Sequence, residues 1–310
     1  MSALICGSMA YDTIMVFHDQ FKNHIIPDKV HILNVCFLVP ELRREFGGCA
    51  GNIAYNLKLL GGEPLPMATV GQDFQPYAKW MDDCGIRTEF IHQIDQSYTA
   101  QAYITTDLDD NQITAFHPGA MSLSESQSIP SDRGICIGMV APDGKEGMIQ
   151  HAEEFANAGI PFIFDPGQGM PMFDGDELLG FLDRAKWVTL NDYEAQLMEE
   201  RTGLSPEQIS QRVEAVIVTR GAQGSQIFTE GQCIDIAAAK PVQAADPTGC
   251  GDAYRAGLLF GMMEDMDWVT TGRIASLMGA IKVETEGTQN HNFSIVEFKD
   301  RFLENYGYQF

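Results

Sequence analysis

The chain has 310 residues, of which 45% are hydrophobic and 20% charged, enough to bury the core of one large globular domain. Its formal net charge of -23 would repel a nucleic-acid backbone or an anionic membrane face, so neither is an expected partner. An anionic ligand must therefore be held locally, by backbone N–H groups at a helix start or by a bound cation. The seven cysteines form no CxxC pair, and no apolar run approaches the ~18 residues of a membrane helix, which predicts a cytoplasmic protein.

Short apolar runs alternate with longer amphipathic segments through the first two thirds of the chain. Residues 3–6, 67–70 and 187–190 have the composition of buried strands, whereas residues 52–60 and 146–158 have apolar positions at helical spacing. This alternation predicts a mostly parallel sheet flanked by helices, an α/β fold. Further helices are predicted at residues 253–263, 271–284 and 294–304.

Two stretches interrupt this alternation early in the chain. The strands predicted there lie at residues 11–17, 34–39, 99–105 and 112–116. The last two are joined by Asp109, Asp110 and Asn111, a turn of favoured composition. We therefore expect a single domain over 1–310, into which a small β-sheet lid formed by about 11–45 and 97–120 is inserted.

A glycine-rich motif, Asp-Pro-Thr-Gly-Cys-Gly-Asp, occupies residues 246–252 and runs directly into a predicted helix. Its two glycines allow successive backbone N–H groups to point into one space, where the helix dipole adds positive potential. Asp252 would stand at the edge of this anion hole and could accept the proton of an attacking hydroxyl. Composition alone leaves open a tight loop in which Asp252 only complements the helix dipole.

Other common phosphate-binding and catalytic motifs are missing. The Walker motif would need Gly-Lys-Ser/Thr, but the single Gly-Lys pair, Gly144 and Lys145, is followed by Glu146. No GxGxxG follows the first predicted strand, and the protein-kinase, HExxH and GxSxG patterns are also missing. The remaining glycine clusters are therefore more informative.

A second glycine cluster, Phe-Gly-Gly-Cys-Ala-Gly-Asn at residues 46–52, opens the predicted helix 52–60. Asp12 lies five residues after Gly7, at the end of the first predicted strand. Taken alone, an Asp such as Asp12 more often forms a turn and an Asn such as Asn52 more often caps a helix.

The two motifs, in this order, resemble the signatures of the ribokinase family of carbohydrate and nucleoside kinases. The resemblance extends from Gly7 to about Gly287 and is closest to bacterial adenosine kinases and broad-specificity nucleoside kinases. It implies a ribokinase-like three-layer αβα sandwich with a mostly parallel central sheet and a small β-sheet lid. The narrower match lies in residues 37–40, 105–107, 113–121, 191–194 and 287–289.

The resemblance implies roles for individual residues. Asp252 would be the general base, and Gly249, Cys250 and Gly251 would form the anion hole, although the family usually has Ala or Gly in place of Cys250. Phe116 and Tyr103 would line the lid where a base could stack, although the core of a small lid or of a dimer explains such aromatics almost equally well. Asp12 matches the family's Asp that accepts hydrogen bonds from two adjacent hydroxyls, a task for which the two oxygens of a carboxylate are suited. The acceptor-binding residues predicted in this way are Ser8, Asp12, Gly47, Gly48, Asn52, Tyr103, Phe116 and Gln168.

The resemblance also implies a nucleotide site for ATP and Mg²⁺. Asn191 and Glu194 match the family element that organises the magnesium ion, with Glu194 acting through water. The same letters fit a helix capping box, and Arg220 could be an ordinary surface residue. The remaining nucleotide-binding residues implied are Thr219, Arg220, Gly221 and Gly224.

The expected activity is ATP-dependent phosphorylation of the 5′-hydroxyl of a nucleoside, adenosine or a related purine nucleoside, with room for broad specificity. A sugar kinase of the same family is the first alternative, and a non-catalytic nucleoside-binding protein is the second. The family also leaves open activation by a monovalent cation such as K⁺ and a homodimer formed through the lid.

Overall fold

The apolar runs of the sequence become the strands of one nine-stranded sheet in this computed structural model, which describes residues 1–25, 32, 34–109, 111–130 and 134–310. In spatial order the strands are β13 (Gln232–Ile236), β12 (Ser225–Thr229), β11 (Ala215–Thr219), β10 (Trp187–Asn191), β9 (Phe162–Phe164), β8 (Ile135–Val140), β1 (Ser2–Cys6), β4 (Pro64–Gly71) and β5 (Phe90–Ile94). Neighbours from β11 to β5 are parallel, while β12 and β13 form an antiparallel hairpin at one edge.

Helices cover both faces of this sheet and produce the predicted three layers. They are α1 (Cys49–Leu59), α2 (Gln75–Asp83), α3 (Lys145–Ala158), α4 (Gly175–Leu182), α5 (Asp192–Thr202), α6 (Pro206–Ile209), α7 (Cys250–Met263), α8 (Trp268–Lys282) and α9 (Ile295–Tyr306). Adjacent residues of β1 point to opposite faces, so Ile5 packs in the core with α1 and α7 while Leu4 packs in the core with α3 and α4. The sequence prediction of a mostly parallel α/β sheet is therefore confirmed. None of the helices in the described ranges is long and apolar enough to span a membrane.

A separate four-stranded sheet lies beside the large one. Its spatial order is β3 (Glu41–Gly47), β2 (Ala10–Val16), β6 (Ala100–Thr106) and β7 (Gln112–His117). β2 and β6 are parallel, and the outer pairs are antiparallel. Asp110 of the predicted turn, and residues 26–31 and 33 of the predicted lid range, lie outside the described residues.

The predicted strand at residues 34–39 is wrong. That segment has no strand structure, and the strand beside β2 is Glu41–Gly47. The apolar residues of 34–39 favoured the earlier position, but Pro40 has no N–H to donate to a sheet. β3 is an edge strand with mostly exposed side chains, so its charged residues are tolerated there and its sequence lacks an apolar run.

The two sheets are joined by very short connections. β1 ends at Cys6 and β2 begins at Ala10, while β3 ends at Gly47 and α1 begins at Cys49. The first connection leaves the carboxyl end of β1, and the second enters the start of α1. Together they bring the small sheet over the edge where ligands collect in parallel α/β sheets.

Candidate active site

A cleft of about 650 Å³ lies between the small sheet and the helix starts at the carboxyl edge of the large sheet. This volume is within the range of pockets that bind small organic molecules, roughly 300–1,000 Å³. The structure brings together nine of the residues predicted from sequence. They are Ser8, Asp12, Gly48, Asn52, Phe116, Gln168, Gly249, Gly251 and Asp252.

The start of α7 supplies backbone donors to this cleft. Gly249, with φ of +79°, precedes the helix in a left-handed conformation that glycine adopts without strain. In the described part of the chain, the amides of Gly249, Gly251 and Asp252 have no hydrogen-bond acceptor. The Cys250 amide, in contrast, donates to the carbonyl of Pro247 at 3.2 Å. The predicted anion hole therefore needs correction: its free donors belong to Gly249, Gly251 and Asp252 rather than to Cys250.

The loop before α7 is fixed by a buried cation. The ammonium group of Lys282 is fully buried and donates to the carbonyl oxygens of Asp246 at 2.8 Å and Thr285 at 3.0 Å. The Asp246 carboxylate accepts hydrogen bonds from the amides of Thr248 and Gly287, both at 2.9 Å. These bonds hold the loop in the shape that aims the three free amides into the cleft.

Asp252 lies in the first turn of α7 and faces the cleft. Its Oδ2 accepts a hydrogen bond of 2.8 Å from Nδ2 of Asn52. Burial raises the pKa of Asp252 to about 6, opposed by the Asn52 hydrogen bond and the positive charge of Arg255, while Asp165 and Asp12 raise it further. Such a carboxylate is mostly ionised at neutral pH yet more basic than an exposed one, as a general base requires.

Asn52 is hydrogen-bonded to Asp252 rather than standing free for a ligand. Its Oδ1 accepts from Nε2 of Gln289 at 2.9 Å, and its Nδ2 donates to Asp252. One amide hydrogen is left for an acceptor molecule. Sequence analysis gave Gln289 no role, because its contact with Asn52 spans 237 residues.

Asp12 occupies the opposite wall of the cleft, on β2. Burial raises its pKa to about 6, and the negative charges of Glu45 and Asp246 raise it further. A Cβ on Gly47 would lie 2.6 Å from Oδ2 of Asp12, so the glycine leaves room for this carboxylate. The two acidic groups, Asp12 and Asp252, thus face one cleft from different elements.

Gly48 forms the floor between them. It precedes α1 with φ of +86°, and a Cβ there would lie 2.6 Å from Cα of Met9 and 2.6 Å from the carbonyl oxygen of Ser8. The Ser8 hydroxyl accepts from the Cys49 amide at 3.2 Å and so supports the start of α1. A glycine is required at position 48 both by its dihedral angle and by the backbone beside it.

Replacing Gly48 by Ala should destabilise the protein by at least about 2 kcal/mol, since it combines a strained φ with contact against backbone atoms. Gly61→Ala is the matched control, because Gly61 has φ of +90° but no atom within 4 Å of the added Cβ. Urea unfolding of both variants separates the dihedral cost from the steric one. Equal losses of stability in the two variants would contradict the role given to the Gly48 surroundings.

The small sheet contributes an apolar wall. Phe116 of β7 lines the cleft and is 50% exposed. On β6 the lining residues are Ala102 and Ile104. Tyr103 lies between them and points to the other face of the sheet, because side chains alternate along a strand. The structure therefore places Tyr103 on the face of the small sheet away from the cleft, outside the acceptor site predicted for it.

Asn191 and Glu194, predicted on the nucleotide side, lie at the carboxyl end of β10. They form a capping box: Glu194 Oε2 accepts from the Asn191 amide at 2.8 Å and Asn191 Oδ1 accepts from the Glu194 amide at 2.7 Å. The helix-capping alternative thus describes their observed contacts.

The remaining predicted nucleotide residues follow β11, the next strand. Thr219 Oγ1 donates to the carbonyl of Leu190 at 3.3 Å, and Arg220 pairs with Asp235 at 3.3 Å. Gly221 and Gly224 have positive φ angles in the turn into β12. These residues lie outside the cleft wall, at neighbouring strand ends on the same edge of the sheet.

A buried ion pair links α7 to this side, and the sequence did not predict it. Arg255 donates from Nε and Nη2 to both oxygens of Asp165, at 2.8 and 2.9 Å, and its Nη2 lies 3.8 Å from Glu194 Oε2. Its side chain is only 7% exposed and that of Asp165 only 4%. A charged residue inside the otherwise apolar stretch 253–261 was the available signal.

The acidic groups do not form a direct metal cage. No set of three or more His, Cys, Asp or Glu side chains in the described ranges could hold a metal ion. Mg²⁺ fits such a site, since it keeps several waters and binds through substrate phosphates with one or two carboxylates. Of the carboxylates on the nucleotide side, Glu194 lies with its Oε2 3.8 Å from Nη2 of Arg255. Burial and the nearby Asp165 charge raise the pKa of Glu194, while Arg255 lowers it.

Comparison with known proteins agrees with this geometry. The family model of pfkB family carbohydrate kinases matches residues 11–294. The nucleoside kinase of Methanothermobacter thermautotrophicus is 30% identical over 303 residues, which cover 96% of this chain and 97% of that protein. The structure of Burkholderia thailandensis nucleoside kinase in complex with inosine has a TM-score of 0.90 and 50% identity, and the match covers 99% of both chains.

The structure of the same Burkholderia thailandensis kinase in complex with ADP-inosine has a TM-score of 0.88 and 51% identity, covering 99% of this chain and 97% of that one. These similarities extend over nearly the whole chain, and they confirm the resemblance drawn from the two glycine motifs. The chain belongs to the pfkB family of carbohydrate kinases.

Proposed function

We propose that this protein is an ATP-dependent nucleoside kinase that phosphorylates the 5′-hydroxyl of its acceptor. The observation that carries the proposal is the Asp252 carboxylate, held by Asn52 beside the free amides of Gly249 and Gly251. A base and an anion hole at one helix start are what phosphoryl transfer from ATP to a hydroxyl requires. The similarity to the Burkholderia kinase solved with inosine supports a nucleoside as acceptor.

In the proposed reaction, the Asp12 carboxylate accepts hydrogen bonds from two adjacent ribose hydroxyls, and Gly48 lets the sugar approach the backbone. Asp252 takes the proton of the 5′-hydroxyl while the 5′-oxygen of the nucleoside bonds to the γ-phosphorus of ATP. The bond from that phosphorus to the β–γ bridging oxygen breaks, and ADP leaves. The amides of Gly249, Gly251 and Asp252 meet the negative charge on the transferring group.

On the nucleotide side, we assign Asn191 and, through water, Glu194 to Mg²⁺, which neutralises phosphate charge when bound. We assign Thr219, Arg220, Gly221 and Gly224 to ATP. Arg220 would leave its pair with Asp235, and since Asp235 is exposed this costs only about 0–1 kcal/mol. Activation by a monovalent cation such as K⁺ stays a prediction.

The apolar wall favours a nucleoside over a free sugar. Phe116 and Ile104 offer a surface that a planar base would cover and a sugar would leave exposed. Gln168, on the other side of the cleft, adds one polar side chain. We therefore propose adenosine or a related purine nucleoside as the acceptor, with broad specificity at the base.

The lid and its outer face extend the proposal. We assign the segments around residues 11–45 and 97–120 to a lid inserted in a single domain. Its face away from the cleft exposes Leu42, Tyr103 and Ile113, which supports pairing of two copies through the lid.

A panel of acceptors assayed with MgATP tests this function. We expect adenosine and inosine to have kcat/KM values at least about 100-fold above those of ribose and fructose, because the base adds buried contacts to the transition state. 5′-Deoxyadenosine is the matched control: it keeps the base and the 2′,3′-diol but lacks the 5′-hydroxyl, so it should bind without forming ADP. ³¹P NMR identifies the product as a 5′-monophosphate.

Two outcomes of the panel would overturn the proposal. Preference for free sugars would indicate a sugar kinase of the same family. Binding of nucleosides without ADP formation from any acceptor would indicate a nucleoside-binding protein without catalysis.

A further inference from the structure

A chain of side-chain hydrogen bonds runs from Trp80, on α2, to the base. Nε1 of Trp80 donates to Oε1 of Gln289 at 2.9 Å. Nε2 of Gln289 donates to Oδ1 of Asn52 at 2.9 Å and to the hydroxyl of Tyr77 at 2.6 Å. Nδ2 of Asn52 then donates to Asp252 at 2.8 Å. Every link therefore joins one donor to one acceptor from Trp80 to Asp252.

The two ends give this chain a single direction. An indole N–H is a donor only, so Gln289 must turn its oxygen towards Trp80. Its NH₂ group then faces Asn52, which must answer with its own oxygen. That leaves the NH₂ group of Asn52 towards Asp252, and an ionised carboxylate is an acceptor only.

Burial makes this direction costly to reverse. Gln289 is 2% exposed, Asn52 is 4% exposed and Tyr77 is fully buried. The Tyr77 hydroxyl donates to the carbonyl of Gly47 at 2.9 Å, so it has an acceptor lone pair, not a proton, to offer Gln289. A reversed amide would leave buried groups unpaired, which water cannot reach to repair.

We infer that Trp80 and Gln289 are positioning residues that fix the side-chain amide of Asn52, so that it presents its N–H, and not its oxygen, to Asp252. This inference rests on the proposed role of Asp252 as the base. With the amide reversed, the Asn52 oxygen would lie against the carboxylate and disfavour its ionised form. The two residues would thus support catalysis without touching substrate.

Other charges around Asp252 stay in place when this chain is altered. Arg255 stabilises the ionised carboxylate, while Asp165 and Asp12 disfavour it. The further titratable groups facing it are Cys49, Tyr77 and Cys250. A shift in the titration of Asp252 after a change at Gln289 therefore reports the Asn52 amide.

The test is the pH dependence of kcat at saturating adenosine and MgATP. In the unaltered enzyme we expect kcat to fall as the pH drops below about 6, where Asp252 gains a proton. Gln289→Met keeps the side-chain length but has no donor for Asn52. We expect its acid limb to move up by about one pH unit, equivalent to the partial loss of one charged hydrogen bond.

Trp80→Phe is the second variant, in case Gln289→Met does not fold. It keeps the stack on Phe46, whose ring centroid is 5.8 Å away, but lacks the indole donor, and it should move the limb in the same direction by less. Asn52→Ala removes the hydrogen bond to Asp252 altogether, so it should move the acid limb of kcat furthest. Gln127→Met is the matched control: Gln127 donates to the carbonyl of Ala68 away from the cleft, so its loss should lower stability without moving the limb.

An acid limb that stays in place in both folded variants, with kcat lowered equally at every pH, would overturn the inference and leave the chain a packing feature. Asp252→Asn separates that failure from failure of the proposed function. If Asp252→Asn keeps its turnover, the base is misassigned. If it is inactive while the limb of Gln289→Met is unmoved, only the positioning role fails.

Discussion

Replacement of Asp252 by Asn should lower kcat for nucleoside phosphorylation by about 10²- to 10⁴-fold, the usual contribution of a positioned general base. Asn has the same shape but cannot accept the proton of the acceptor hydroxyl. The free amides at the start of α7 remain, so KM for MgATP should change little. Steady-state kinetics at several pH values measure the effect, and the residual rate should no longer fall at acid pH.

The control for this variant is Asp176→Asn. Asp176 also lies in the first turn of a helix, α4, and is exposed, so its change removes the same charge from a helix start that does not line the cleft. Its kcat should match that of the unaltered enzyme. Near-normal turnover in Asp252→Asn would rule out the mechanism, whereas equal losses in both variants would point to helix electrostatics rather than proton transfer.

Replacement of Arg255 by Met should destabilise the protein by about 3–5 kcal/mol, because it leaves the Asp165 carboxylate buried without its partner. Both side chains are almost fully buried, and the pair is bidentate. The change also removes a positive charge that lowers the pKa of Asp252, so the acid limb of kcat should move to higher pH. Urea unfolding gives the first quantity and the pH profile the second.

An exposed pair provides the comparison. Arg184 lies 3.0 Å from Glu153, with side chains 38% and 50% exposed, and Arg184→Met should cost less than about 1 kcal/mol. Adding Asp165→Leu to Arg255→Met should recover part of the lost stability, since no unpaired charge is then buried. A double variant less stable than Arg255→Met alone would contradict the account of an unpaired carboxylate.

Features fixed by the local backbone could be predicted from the sequence. Gly48 and Gly249 both have positive φ angles at a helix start. That conformation favours glycine, so it can be recognised in the sequence. The alternation of strands and helices was equally readable, because strands buried on both faces are continuously apolar.

Features that depend on the phase of a strand, or on partners distant in the sequence, could not be predicted from the sequence. Tyr103 and Ile104 differ by one position in a strand, and composition does not say which faces the cleft. Arg255 and Asp165 are 90 residues apart, and Gln289 is 237 residues from Asn52. No local pattern records such pairs, since they form only when the whole sheet is assembled.

The linked hydrogen bonds between Asp252 and Trp80 should also make the indole N–H of Trp80 sensitive to the protonation of Asp252. When Asp252 gains a proton, the acceptor at one end weakens, and polarisation along linked hydrogen bonds carries the change through two amides to the indole N–H. The protein contains three tryptophans, so its indole N–H resonances are few enough to assign. The chemical shift of the Trp80 indole proton should therefore titrate with Asp252.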